Sequence, residues 1–201
     1  MMKLHHSNKF YSIAQSYTIL FDACRTAMYL GKAKRRYGMG KHFIERIMLA
    51  VTQVNGCALC SYAHTRMALE QGMKQEDIDF LLGGNLGHVA QFELEALLFA
   101  QHYADTGGKP SKAAWERILE TYGKHISLGI LAAIRIIMVG NVYGIAWGAF
   151  ILRLKGDSDA RSSLWYELLL LLTLVPFSLI AIIHSLAAMI IKLPLVSFND
   201  G

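Results

Sequence analysis

The stretch "NGCALCSYAHTRMALEQG", residues 55–72, places Cys57 and Cys60 three residues apart and His64 four residues further on. On a helix these positions share one face, close enough for the two sulfurs to join and for the imidazole to lie over them. Three readings suit such a set: part of a zinc site, a redox couple, or two core cysteines that happen to be neighbours. If a helix begins at or near Cys57, its unsatisfied N–H groups and positive dipole end stabilise a thiolate. The His64 imidazole can then take the proton from Cys60, directly or through a water, with Cys57 beside it as resolving partner. A structural zinc site needs four ligands; Cys57, Cys60 and His64 supply three, and no second CxxC or HxxxH pair exists in the chain.

Glu45 extends the set. It lies twelve residues before Cys57 in "FIERIMLAV", and after the "NG" turn its helix can fold back antiparallel and bring the carboxylate towards the cysteines. A lone acid in so apolar a helix needs a partner if buried, and Arg46 beside it points elsewhere on the helical wheel.

The elements that must hold these residues are helical throughout. Alternating β patterns are absent and apolar residues recur at helical spacing, so the fold class is all-α. The spacing predicts helices over about 17–35, 42–54 and 57–72, a short one over 75–82, and another over 90–104. Ser111 reads as the N-cap of a helix to Tyr122 that stops at Gly123, and a long apolar helix follows over about 126–152. Its glycines, Gly129, Gly140, Gly144 and Gly148, suggest close packing. Cys24 is spaced like a core residue. His88, His102 and His125 read as structural or solvated, and His5 and His6 as part of a loose terminus.

Residues about 15–155 resemble the AhpD-like alkylhydroperoxidase branch of the carboxymuconolactone decarboxylase superfamily. The resemblance rests on the pattern E-x11-C-x2-C-x3-H, on "ALLFAQHYAD" (96–105) and on a long final helix bearing Asn141. It implies an AhpD-like helical bundle, a homo-oligomer (trimer or hexamer), and reduction of hydroperoxides through the cysteine pair. It further implies that Cys60 attacks the peroxide, that Cys57 closes the disulfide, and that His64 and Glu45 relay the thiol proton. A dithiol or lipoyl-type donor would then reduce the pair, with no cofactor beyond the reducible Cys57–Cys60 disulfide and no metal. Leu59 stands where the alkylhydroperoxidase proper often carries a histidine. With this resemblance the redox couple is the favoured reading. Its alternative is a membrane-associated redox sensor or dithiol–disulfide exchange protein that does not turn peroxide over.

Composition sets further bounds. Of 201 residues, 54% are hydrophobic and 17% charged, more apolar than an average soluble domain. The net charge of +5 lies partly in "GKAKRRYGMGK" (31–41), a run without the motifs of nucleic-acid binders, so no nucleic-acid partner is expected. Three cysteines with no disulfide framework suit a reducing compartment, and the N-terminus lacks the pattern of a secretory signal; a cytoplasmic domain is expected.

The chain divides into a redox domain over 1–156 and an apolar C-terminal segment over 157–201. Residues 168–191 carry no carboxylate, lysine or arginine. At 1.5 Å per residue they give ~36 Å of helix, enough to span a bilayer core. Arg153, Lys155 and Arg161 before it and Lys192 alone after it would keep the domain cytoplasmic and anchored at the cytoplasmic membrane. The alternative is a helix buried in an oligomer, kinked at Pro176, with His184 facing a partner.

Overall fold

The computed structural model describes residues 9–87 and 89–199, so His5, His6 and His88 lie outside the described residues. Among those described there are seven helices and no strand: α1 (Ile13–Arg36), α2 (Lys41–Asn55), α3 (Ala58–Glu70), α4 (Gln75–Leu82), α5 (Gln91–Asp105), α6 (Lys112–Leu154) and α7 (Leu164–Ile190). The all-α expectation, with an apolar C-terminal helix, matches this architecture.

The helices begin and end where local chemistry dictates. Ser12 starts α1 with a capping box, its hydroxyl accepting from Gln15 N–H while the Gln15 side chain accepts from Ser12 N–H. That box sets the start four residues earlier than apolar spacing alone suggested. Ser111 and Ser163 cap α6 and α7 in the same sense, each hydroxyl accepting from the N–H three residues on. Gly56 closes α2 in the left-handed region, with φ 73°, which a residue bearing a Cβ adopts only at a cost.

The spine of the fold is α6, which packs against α1, α2, α3, α5 and α7. Every residue from Ser127 to Arg135 is buried, and Ile130, Leu131 and Ile134 are wholly enclosed. The sequence suggested two helices parted at Gly123. The structure agrees: Gly123 leaves the helical region (φ 68°, ψ 164°), and α6 is two helices joined across a kink there. The Ser127 hydroxyl donates to the carbonyls of Gly123 at 2.7 Å and Ile118 at 2.9 Å, satisfying acceptors that the break would otherwise orphan. Further along, a Cβ on Gly129 would overlap that of Ala33, so α1 and α6 touch where the Ala33 methyl lies against bare glycine backbone.

Both α6 and α7 are long and apolar enough to cross a membrane. Their surroundings differ: 78% of the most apolar window of α6 is buried inside the protein, against 22% for α7. For α6 this agrees with the close packing its glycines suggested: it is a core helix. Arg135 itself is buried, donating to Tyr103 Oη at 2.7 Å and to the Leu195 carbonyl at 2.8 Å. Helix α7 runs alongside α1 in the same direction. Tyr166 Oη donates to the Tyr11 carbonyl, Tyr17 Oη meets His184 Nδ1 at 3.0 Å, and Arg25 donates to the carbonyls of Leu193 and Pro194.

Candidate active site

Helices α2 and α3 form an antiparallel hairpin across the Asn55–Gly56 turn, which returns the chain so that Glu45 on α2 faces His64 on α3. Cys57 is the N-cap of α3, and its Sγ accepts from Cys60 N–H at 3.2 Å. A helix start therefore does lie at the cysteines, as the dipole reasoning requires. Cys57 and Cys60 are joined in a disulfide with Cα atoms 5.3 Å apart. Cys57 is fully buried and Cys60 is 7% exposed, so the outer sulfur is the one reachable from solvent.

His64 Nδ1 lies 2.8 Å from Glu45 Oε2, with both side chains largely buried. A carboxylate on Nδ1 fixes the tautomer with its proton there, leaving Nε2 as the basic nitrogen. Glu45 Oε1 accepts from Gln71 Nε2 at 3.5 Å, and the Gln71 carbonyl is in turn met by His42 Nε2 at 2.8 Å. The second carboxylate oxygen is thus also held. No hydrogen bond joins His64 to either sulfur in this disulfide state, so the structure brings together Glu45 with His64, and Cys57 with Cys60, one helical turn apart. Arg46 points away from Glu45, as its wheel position suggested, and pairs with Glu93 at 2.8 Å.

Two features were missed at the level of sequence. A Cβ on Gly144 would sit 2.8 Å from both sulfurs, so α6 floors the disulfide with bare backbone. One turn earlier the Gly140 carbonyl oxygen lies 3.4 Å from Cys60 Sγ, placed to accept a hydrogen bond from the reduced thiol. The register of this floor is fixed by a buried amide network: Asn55 Nδ2 donates to Asn141 Oδ1 at 2.9 Å, and Asn141 Nδ2 donates to Thr52 Oγ1 at 3.1 Å. The repeated glycines of α6 were the available signal, but nothing in their spacing says what they approach. Gln71, which braces Glu45, carried no signal at all.

Other candidate residues stand apart. Cys24 is half-buried, and burial pushes its thiol pKa up, the opposite of an activated nucleophile. His102 Nε2 accepts from Ser111 N–H at 3.0 Å, a structural role, and the exposed His125 stacks on Tyr37. No group of three or more His, Cys, Asp or Glu among the described residues could hold a metal ion. A cavity of about 440 Å³ lies between α1, α5 and α6, lined by Asp22, Tyr103 and Arg135, and none of Glu45, Cys57, Cys60 and His64 lines it.

No curated protein and no solved structure matches the chain. Residues 22–89 match the carboxymuconolactone decarboxylase family, and that stretch holds Glu45, Cys57, Cys60 and His64 together.

Proposed function

We propose that the chain is a thiol-dependent hydroperoxide reductase of the alkylhydroperoxidase kind. The observation that carries this is the His64–Glu45 hydrogen bond one turn beyond a closed Cys57–Cys60 disulfide. In the reduced protein His64 Nε2 accepts the Cys60 proton, with Glu45 stabilising the resulting imidazolium. The Cys60 thiolate attacks the distal oxygen of a hydroperoxide. The O–O bond breaks, the alkoxide leaves with a proton as alcohol, and Cys60 becomes a sulfenic acid. The Cys57 thiol then displaces water from that sulfur, forming the disulfide seen here. A dithiol, lipoyl-type or other, returns two electrons and two protons and is itself oxidised to a disulfide.

The decarboxylase chemistry in the family's title is a poorer reading, because it makes no use of a cysteine pair that closes as a disulfide. The test is rapid mixing of reduced protein with cumene hydroperoxide while free thiols are counted, wild type beside Cys60→Ser and His64→Ala. Loss of two thiols per chain that requires Cys60 and slows without His64 is expected, with repeated turnover when a dithiol is supplied. Thiols that survive excess peroxide would overturn the peroxidase reading. A single oxidation without turnover would favour a dithiol–disulfide exchange protein or sensor.

A further inference from the structure

Helix α7 is inside out. Its buried positions include Glu167, Thr173 and Ser185 beside Leu170, Ala181 and Ala188, while its outward positions are almost all large and apolar. Leu172 is 73% exposed, Ile183 70% and Ile190 80%. Placed at 100° per residue, the exposed residues cover about three-fifths of the circumference, wider than the narrow seam by which two helices pair. At 27 residues the helix offers this face over ~40 Å. A soluble monomer rarely leaves so large an apolar patch bare.

The helix is also fastened along its length. At its start Glu167, wholly enclosed, takes hydrogen bonds from Arg153 at 2.8–3.1 Å and from the Ser162 hydroxyl. About three-quarters of the way along, Tyr17 meets His184. Beyond its end, Arg25 and the buried Arg135 hold the carbonyls of Leu193, Pro194 and Leu195. Swinging α7 off the body to stand upright in a bilayer would strand the enclosed Glu167 and would take from Arg25 and Arg135 the carbonyls of Leu193, Pro194 and Leu195, leaving them Asp22 and Tyr103.

The exposed charges of α1 and of the end of α7 have one sign, whereas the segment before α7 carries both, with Lys155 and Asp157 exposed and Asp159 paired with Arg161. On α1 and α7 the only carboxylates are Asp22 and Glu167, and both are ion-paired. The exposed charges of this layer are Lys32, Lys34, Arg35 and Arg36 on the last turns of α1, with Lys192 just past α7. Trp165, 80% exposed, marks the opposite end, as indoles do at membrane interfaces.

We propose that this face is a lipid-binding surface that seats the protein in the plane of an anionic bilayer. The outer half of α7 enters the boundary between headgroups and acyl chains, and the cations of α1 meet the headgroups. This replaces the upright span suggested by length alone, and it stands independently of the proposed thiol chemistry.

The test uses the full chain and flotation with vesicles of equal phosphatidylcholine and phosphatidylglycerol, against phosphatidylcholine alone. Binding is expected, stronger with the anionic lipid, and lost at least about tenfold in the double variant Leu179→Lys, Ile183→Lys, whose outward side chains leave helix content unchanged. Depth is read from Leu172→Trp, Leu179→Trp and Leu186→Trp, through quenching of the added fluorescence by lipids brominated at defined positions. Three equal, shallow depths fit the in-plane seat. A middle residue deeper than the other two would mean a span and overturn it. Absence of vesicle binding, or binding undiminished in the lysine variant, would also overturn it. In the former case, light scattering showing a dimer or larger would assign the face to a second copy of the chain.

Discussion

Gly144→Ala is the change to which the cysteine pair should be most sensitive. The added methyl would stand 2.8 Å from Cys57 Sγ and 2.8 Å from Cys60 Sγ, where ordinary heavy-atom contacts lie at ~3.5–4.0 Å. Helices α3 and α6 must therefore part by roughly 1 Å, because neither sulfur is the free end of a flexible chain. Overpacking of this kind costs ~1–3 kcal/mol, against which alanine recovers ~1 kcal/mol of helix propensity. A net loss of up to about 2 kcal/mol remains, or up to roughly 8 °C in melting temperature for a chain of this size. Two neighbours on the same helix supply the controls. A Cβ on Gly148 meets nothing within 4 Å, and one on Gly140 meets only Ile137 Cδ1 at 3.6 Å. Both Gly148→Ala and Gly140→Ala should hold or raise the melting temperature, by up to about 1 kcal/mol of propensity. The assay is thermal melting followed by circular dichroism, with the rate of thiol loss to peroxide measured on each variant. If Gly144→Ala melts at or above wild type and oxidises at the wild-type rate, the glycine floor is not what positions the sulfurs.

Asn141→Ala leaves Asn55 and Thr52 without their buried partner, at about 1–3 kcal/mol for each orphaned group; denaturant melts should show a lower midpoint with an unchanged slope. The Arg153 hydrogen bonds hold the Glu167 carboxyl below the usual carboxylate range. Protons therefore bind the unfolded chain more readily, so this pair's contribution is complete above the ordinary carboxyl pKa and is lost as pH falls through the depressed one. Glu167→Gln should accordingly lower the melting temperature at neutral pH and flatten its fall in acid. If His64 and Glu45 act as one unit, Glu45→Gln combined with His64→Ala should oxidise no more slowly than His64→Ala alone, itself slowed about 10²-fold; independent, multiplying effects in stopped-flow thiol assays would count against the relay.

The helices were legible because apolar spacing and glycine punctuation act locally. The short helix α4 and the bounds of α2 follow from them almost residue for residue, and so does the Ser111 cap. Gly123 acts as the stop it signals: the backbone leaves the helical region there, and the two halves of α6 meet across a kink that Ser127 caps. The start of α1 was misplaced. The Ser12–Gln15 capping box was present in the sequence and outweighed the weaker apolar pattern there. At the site, Glu45 and His64 were legible as a pair because one turn connects their helices, and a buried carboxylate demands a partner. The glycine floor and the Gln71 brace were not, since each depends on how elements far apart in the chain meet. The inverted polarity of α7 was hidden for a related reason. A nearly uniform apolar run gives no face to choose, and only its contacts with α1 and α6 reveal which side is inward.

The placement of α3 ties the site to the stability of the element that carries it. Of its thirteen residues only Cys60 and Ala68 are buried, while Leu59, Tyr62, Met67 and Leu69 are exposed. So little apolar burial gives α3 weak purchase of its own on the body. What fastens it is largely the site: the sulfurs seated on Gly144, and His64 bonded to Glu45 across the hairpin. The Cys57–Cys60 bond closes within one turn and does not reach α2 or α6, so on reduction the side-chain ties between α3 and α2 remain the His64–Glu45 bond and, at the end of α3, those of Gln71 with Glu45 and His42. A helix held chiefly by its reactive groups can shift locally as those groups change state, at the low end of the protein's local stabilities. For the same reason, a loss of rate in His64→Ala has two physical sources, a missing base and a looser α3. Amide hydrogen exchange across α3 separates them, because a missing base alone leaves protection unchanged.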